Sequence, residues 1–344
     1  MRCRELSNFE LELIIRDEDD RFFCVCTSKK DLEEWQVSQE SSVSNLVKDR
    51  LYALENPRAS FLGFSIDQNW IMGVLNVTPD SFSDGGAYES IDDAVAVGIE
   101  MSANGADIID VGGESTRPGS EPISLETELS RVIPVVKGLV KSGIKVSVDT
   151  RRPQVMRQAA ELGAILWNDV TALREFPDSL SVAAELSTPV ILMHMQGNPK
   201  SMQVKPAYTA ASFDIFDWLE ERINICQNAG IKSERIIIDP GIGFGKTLEH
   251  NLDILSNLEI FHGLGYPIAI GLSRKSFIGE LVDESKPEKR LAGSLAGMFH
   301  CLDKGIHIIR VHDTKDSHQL LTIYKAIKGY KKEYANDYRD GFQL

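Results

Sequence analysis

The sequence predicts an α/β fold: one barrel of parallel strands, each followed by a helix, with an N-terminal extension ahead of it. Three observations carry that prediction. Short β-branched runs alternate with helical patterns from residue 69 onward, and eight such runs can be counted. Several runs are apolar nearly throughout, as parallel strands covered on both faces must be. The polar, chemically loaded residues stand at the C-terminal tip of nearly every run, as they do around a barrel mouth, whereas a doubly wound open sheet concentrates its glycine-rich fingerprint after one strand.

The predicted strands are Trp70–Val77, Asp107–Gly112, Lys145–Asp149, Ile165–Val170, Pro189–His194, Arg235–Asp239, Pro267–Leu272 and His307–His312. Between them Ile91–Ala103 has apolar and small residues at helical spacing and stops at Asn104-Gly105, a pair suited to a left-handed C-terminal cap. Leu125–Lys141 stops at Ser142-Gly143, Pro153–Leu162 at Gly163, Phe216–Asn228 at Ala229-Gly230 and Lys289–Leu302 near Gly305. This barrel unit is placed at residues 67–335, followed by a tail at 336–344. Residues 1–66 read differently. Leu11–Ile15 and Arg21–Thr27 suit a hairpin about Asp17–Asp20, Gln39–Ser44 reads as a linker or loop, and Phe61–Asp67 as a strand closing the barrel bottom.

Composition narrows the function. The chain has 344 residues, 42% of them apolar, which is enough for a full core. Its formal charge of −14 and the lack of a basic stripe argue against nucleic acid as a partner. Five scattered cysteines give no disulfide framework, and Cys24 and Cys26 lack the usual zinc spacing. No run approaches the roughly 18 apolar residues of a membrane helix, and the start is acidic and polar, unlike a signal peptide. A cytoplasmic enzyme for small molecules is the expectation.

The tips supply the chemistry. Asn76 ends an apolar run and opens the loop Val77–Gly86, which contains Asp80, Phe82 and Asp84. Asp149, Asn168 and Asp239 end three other strands. Each suits a helix cap taken alone, but converging on one mouth they suit the donor–acceptor edge of an aminopyrimidinone ring. Arg117, Lys275, Arg310 and His312 are either rim cations in an acidic protein or an anion site, for which guanidinium groups are suited. Asp239 to Thr247 resembles a phosphate-binding Walker loop, but its first required glycine falls on Pro240, so the glycines read instead as room for a flat ligand beside Phe244. His194, between Met193 and Met195, reads as a satisfied histidine rather than a catalytic one. The histidines form no zinc cluster; any metal is expected to be a hard ion, Mg2+, bridging Asn76 and a substrate phosphate.

Met72–Gly86, Asp110–Ser120, Val146–Thr150, Trp167–Val170, Ile191–Met202, Ile238–Lys246, Gly271–Gly279 and Arg310–Asp313 together resemble the dihydropteroate synthase family of folate biosynthesis. The resemblance implies a (β/α)8 TIM barrel that condenses 6-hydroxymethyl-7,8-dihydropterin diphosphate with 4-aminobenzoate, using Mg2+. It implies that Asp149, Asn168, Met193, Asp239 and Lys275 hold the pterin. Asn76, the metal ligand, joins Arg310 and His312 on the diphosphate. Phe82, Thr116, Arg117, Pro118, Phe244 and Ser273 line the aminobenzoate site, where sulfonamides are expected to bind. Asp84, Asp239 and Lys275 are the implied catalytic residues, with Phe82 and Asp84 on a lid that orders only over ligand. The alternative is a methyltetrahydrofolate-dependent methyltransferase of the same barrel type, which has no need of a diphosphate site. A homodimer is expected, with the small-residue stretch Ala292–Gly297 allowing close helix packing. Residues 1–66 are too short for a complete pyrophosphokinase domain; an oligomer contact or a degenerate module are the open readings.

Overall fold

The computed structural model describes residues 2–7, 10–16, 21–56, 60–61, 64–65, 68–78, 90–115 and 120–340. The N-terminal part begins with three antiparallel strands, β1 (Arg2–Ser7), β2 (Glu10–Arg16) and β3 (Phe22–Ser28), in the order β1-β2-β3. The hairpin of β2 and β3 pairs Leu13 with Val25; β1 is an addition to the sequence reading, on the far side of β2. Helices α1 (Lys29–Gln36) and α2 (Ser41–Glu55) follow. Ser28 starts α1 by accepting the Asp31 N–H. The stretch Gln39–Ser44, expected as a linker, is one only up to Glu40: Ser41–Ser44 form the first turn of α2, whose Val47 and Leu51 pack on Leu11, Leu13 and Leu32. Burial of that stripe overrides the weak helix preference of three serines. Phe61–Asp67 is not one strand, because β4 (Ser60–Phe61) folds back antiparallel on β5 (Phe64–Ser65).

The barrel strands are β6 (Trp70–Asn76), β7 (Ile108–Gly112), β8 (Val146–Asp149), β9 (Leu166–Asp169), β10 (Val190–Met193), β11 (Ile236–Asp239), β12 (Ala269–Gly271) and β13 (Ile308–Val311). They are parallel and ordered β11-β10-β9-β8-β7-β6-β13-β12. A parallel bridge from Ile238 to Ile268 joins the two ends and closes the barrel. The outer helices are α3 (Ile91–Ala103), α4 (Leu125–Lys141), α5 (Pro153–Glu161), α6 (Ser179–Leu186), α7 (Ala211–Asn228), α8 (Leu248–Ser256), α9 (Ser276–Val282), α10 (Leu291–Asp303) and α11 (Thr314–Asp340). Their starts are chemically marked: Ser90 and Ser124 accept N–H groups three residues on, Pro153 opens α5, and Thr247 forms a capping box with His250. Helix α11 runs on to Asp340, so no break marks the tail expected from 336.

The N-terminal part docks on α7 and on the 3-10 turn Leu258–Leu264. Ile14 is buried in the main core, Phe22 meets Phe213 at 4.8 Å between centroids, and Arg16 pairs with Asp214 at 3.1 Å. Arg50 pairs with Glu220, donates to the Gly263 carbonyl at 3.3 Å and lies 5.0 Å from the Phe216 ring centre. The glycines of the stretch expected to face a partner point inward instead. A Cβ at Gly293 would stand 2.3 Å from Ile278, and one at Gly297 2.9 Å from Leu272, so these glycines let α10 close on its own barrel. Among the described residues no helix is long and apolar enough to cross a membrane.

Candidate functional site

Strand alternation divides the barrel interior into layers. The lower one is an apolar plug of Trp70, Met72, Ile108, Leu166, Ile191, Ile237, Ala269 and Ile308. Two residues further along, the same inward positions carry Asp110, Asn168, Met193, Asp239, Gly271 and Arg310. Parallel register then aligns Asn76, Gly112, Asp149 and Asn168 as successive partners across β6 to β9. The predicted residues Asn76, Asp149, Asn168, Met193, Asp239 and Arg310 therefore come from separate strands to one place, joined there by Lys275 from the loop after β12.

One guanidinium organises that layer. Arg310 donates from Nε to Asp110 Oδ2 at 2.6 Å and from Nη2 to Asp149 Oδ2 at 2.7 Å. Asn168 Nδ2 donates to the same Asp110 oxygen at 2.9 Å. Burial pushes Asp149 up to about 7; Arg310 works against that shift, and the carboxylates of Asp110, Glu128 and Asp169 add to it. Burial also lowers Arg310, but the Asp110 and Asp149 carboxylates outweigh it and hold the net shift upward. Asp239 is raised by burial, while Lys275, the Gly241 N–H at 2.7 Å, Lys246 and Arg310 favour its anion. Burial brings Lys275 down to about 8 despite Asp239; its Nζ donates to the Ile242 carbonyl and lies 4.6 Å from the Phe244 ring centre.

Asp110 is the residue that sequence reasoning missed. It is fully buried, and its Oδ1 has no hydrogen-bond partner among the described residues. The available signal was an isolated carboxylate at an inward position of the otherwise apolar run Ile108–Gly112. A wider ring of ions was also missed: Arg151 binds Glu114 at 2.8 Å and Glu175 at 2.9 Å, and Arg152 and Thr150 both bind the buried Glu128. A cleft of about 220 Å³ lies among Glu114, Arg151, Glu175 and Asn198, but no member of the polar layer lines it.

The loop after β11 forms one wall. Phe244 packs against Val170, Met193, Met195 and Met202. Gly241 has φ of 72°, and a Cβ there would lie 1.9 Å from the His194 carbonyl oxygen, so only glycine permits this approach. His194 is buried, its Nδ1 lies 3.0 Å from Lys246 Nζ, and its ring meets Trp218 edge-on at 4.8 Å. Burial, then Lys246 and Arg174, hold it well below the usual histidine range. A satisfied, neutral histidine is what these contacts describe. On the neighbouring loop after β12, Ser273 Oγ accepts the His312 N–H at 3.2 Å and lies 3.1 Å from its Nδ1. Arg274 adopts φ of 60° and pairs with Asp313 through Nε at 3.0 Å, which turns the chain toward Lys275. Phe82, Asp84, Thr116, Arg117 and Pro118, with the expected lid, lie outside the described residues.

No group of three His, Cys, Asp or Glu side chains among the described residues is placed to hold a metal. A Cβ at Gly112 would stand 3.5 Å from Asn76 Oδ1 and 3.7 Å from Asp149 Oδ2, so both oxygens face the space that this glycine leaves open. Asp149 Oδ2 is held by Arg310, which leaves the Asn76 amide oxygen as the one protein group of this pair that suits Mg2+ bringing phosphate and water as its other ligands.

A family model described as pterin binding enzyme matches residues 72–312, which contain every member of the polar layer. The chain belongs to the pterin-binding enzyme family. Dihydropteroate synthase of Escherichia coli strain K12 is 48% identical over 263 residues, 76% of this chain and 93% of that protein. Among solved structures, Yersinia pestis dihydropteroate synthase in a sulfonamide drug complex has a TM-score of 0.74 at 41% identity, covering 78% of this chain and 98% of that one. Xanthomonas albilineans dihydropteroate synthase with 4-aminobenzoic acid has a TM-score of 0.73 at 43% identity, covering 79% and 98%. The match to the family model begins at Met72, beyond the N-terminal part.

Proposed function

We propose that the polar layer is where this chain performs the reaction of a dihydropteroate synthase. That reaction joins 6-hydroxymethyl-7,8-dihydropterin diphosphate to 4-aminobenzoate, giving 7,8-dihydropteroate and diphosphate. The observation that carries the assignment of roles is the row Asn76, Gly112, Asp149, Asn168, tied through Arg310 and faced by Asp239 and Lys275. Asp149, Asn168 and Asp239 present acceptors and one amide donor to the guanidine-like edge of a pterin, with Met193 against its face and Lys275 on an acceptor. Arg310, His312 and Asn76 take the diphosphate. Two of the five N–H groups of Arg310 are on carboxylates, which leaves three for phosphate oxygens. Phe244 and Ser273 line the aminobenzoate side, completed by Phe82, Thr116, Arg117 and Pro118.

The bond from the exocyclic methylene carbon to the diphosphate oxygen breaks, and its electron pair leaves with the diphosphate. The aniline nitrogen supplies the new C–N pair and then loses its proton. That nitrogen is neutral at pH 7, so attack requires no general base. Charge is therefore the main lever: cations at the departing diphosphate, and Asp239 with Asp84 beside the positive charge growing on the pterin. Mg2+, when bound on the diphosphate at Asn76, supplies Lewis-acid stabilisation of the leaving group.

A homodimer in the cytoplasm completes the proposal. The dimer is supported by exposed apolar residues on two helices, Ala292, Ala296 and Phe299 on α10 and Leu281 and Val282 on α9. Light scattering tests the dimer. Pyrophosphate release that needs the pterin diphosphate, 4-aminobenzoate and Mg2+ together is the expected assay result. Methyl transfer from methyltetrahydrofolate without it would favour the methyltransferase reading instead.

A further inference from the structure

The lysine of the Walker-like segment has no part in the reaction described above. Lys246 is almost fully buried, and its Nζ lies 3.0 Å from His194 Nδ1, 3.4 Å from the His194 carbonyl and 2.9 Å from the Phe244 carbonyl. Its donors are thereby directed inward, onto neutral acceptors, and none is left to grasp a phosphate. Burial holds Lys246 well below the usual lysine range, with Asp239 working against that shift and Lys275 adding to it. What its hydrogen bonds add is direction: they fasten the loop after β10 to the loop after β11.

Those loops touch through backbone. Gly241 lies against the His194 carbonyl and Gly245 against Gln196. Each successive carbonyl of the glycine loop is gripped by a different side chain. Lys275 takes Ile242, Gln203 takes Gly243 at 2.8 Å, Lys246 takes Phe244 and Tyr208 takes Gly245 at 2.8 Å. Asn251 accepts the Gly243 N–H at 2.7 Å. Phe244 is the residue of this loop whose side chain faces the site, beneath the Lys275 ammonium.

We infer that Lys246 is a positioning residue: by bridging His194 and the Phe244 carbonyl it sets the aromatic wall on which 4-aminobenzoate binds. The inference rests on the assignment of Phe244 to the aminobenzoate side. Lys246 touches neither substrate, so its effect passes through the placement of the Phe244 ring.

The test is steady-state kinetics on the full chain, varying each substrate separately, with melting curves alongside. Lys246→Met removes both fastenings, and the Michaelis constant for 4-aminobenzoate is expected to rise roughly tenfold while that for the pterin diphosphate stays within about twofold. Lys246→Gln retains an N–H that can reach the Phe244 carbonyl, and its rise is expected to be roughly threefold. If Lys246→Met does not fold, the same substrate-selective rise in Lys246→Gln decides the matter. A folded variant with a lower melting temperature but both constants unchanged, or with both raised equally, would overturn the inference. Phe244→Ala is the control. If it leaves the aminobenzoate constant unchanged, the assignment of Phe244 is what fails; if it raises that constant and the Lys246 variants do not, the role of Lys246 fails.

Discussion

Two layers of one barrel interior, two residues apart along β7, β9, β11 and β13, have opposite chemistry. The lower is Trp70, Met72, Ile108, Leu166, Ile191, Ile237, Ala269 and Ile308, all buried and apolar. The upper holds Asp110, Asp149, Asp239, Asn168 and Arg310. Apolar burial contributes about 25 cal/mol per Å², whereas buried ions roughly break even against the loss of their hydration. The lower layer accordingly holds the barrel closed, and the upper layer is carried at its expense. The contrast teaches that in this chain a position's height along a strand decides whether its loss is read in stability or in catalysis.

The largest expected effect is at the upper layer. Asp239→Asn exchanges an anionic acceptor for an amide and is expected to lower kcat/KM by roughly 10²–10³ without lowering the melting temperature. A variant that melted much lower with little loss of rate would break the comparison. Ile237→Ala, two residues away in the lower layer, is expected to cost about 2–4 kcal/mol in denaturant unfolding, with kcat/KM of the folded enzyme within about threefold. Arg50→Ala, outside both layers, removes the tie from α2 to Glu220 and Gly263. A loss of roughly 1–3 kcal/mol is expected, with both Michaelis constants unchanged.

The smallest effect sharpens the contrast through pH. His307 stands at the lower end of β13, accepts the Ile268 N–H at 3.0 Å through Nδ1, and is pushed down to about 4 by burial, with His262 adding to the shift. The unfolded chain takes up this proton first, so the stability that His307 contributes is complete above about pH 6.5 and is lost as pH falls toward 4. Asp149, raised to about 7, has the opposite sign: the folded chain holds the proton more tightly, and stability is lost as pH rises from about 4 to 7. Urea unfolding across pH 4 to 8 is expected to show His307→Asn flattening the acid-side rise and Asp149→Asn flattening the decline, each by at most about 1.4 kcal/mol per pH unit.

Much of this was legible in the sequence for a physical reason. β-branched runs that stop abruptly at polar tips leave little choice beyond parallel strands with a site at one end, and all eight barrel strands are within three residues of their predicted bounds. Asp110 was harder to read, because a lone carboxylate inside an apolar run reveals its partner only once Arg310, 200 residues away, is brought beside it. Gly293 and Gly297 signal close approach without signalling to what. In β1, Arg2, Arg4 and Glu5 leave no apolar run of the kind that Leu11–Ile15 presents.

The docking of the N-terminal strands has a consequence in time. Ile14, Phe22 and Arg50 are synthesised long before their partners on α7 and the 3-10 turn, which begin at Phe213 and end at Gly263. At roughly 5–20 residues per second, a gap of about 200 residues is a delay of roughly 10–40 s. For that interval Leu11 and Leu13 can already rest on Leu32, Val47 and Leu51 of α1 and α2, whereas Ile14 and Phe22 wait uncovered for their later-made partners. Moving the same segment behind α11 by circular permutation would abolish the wait while leaving every contact of the finished molecule in place.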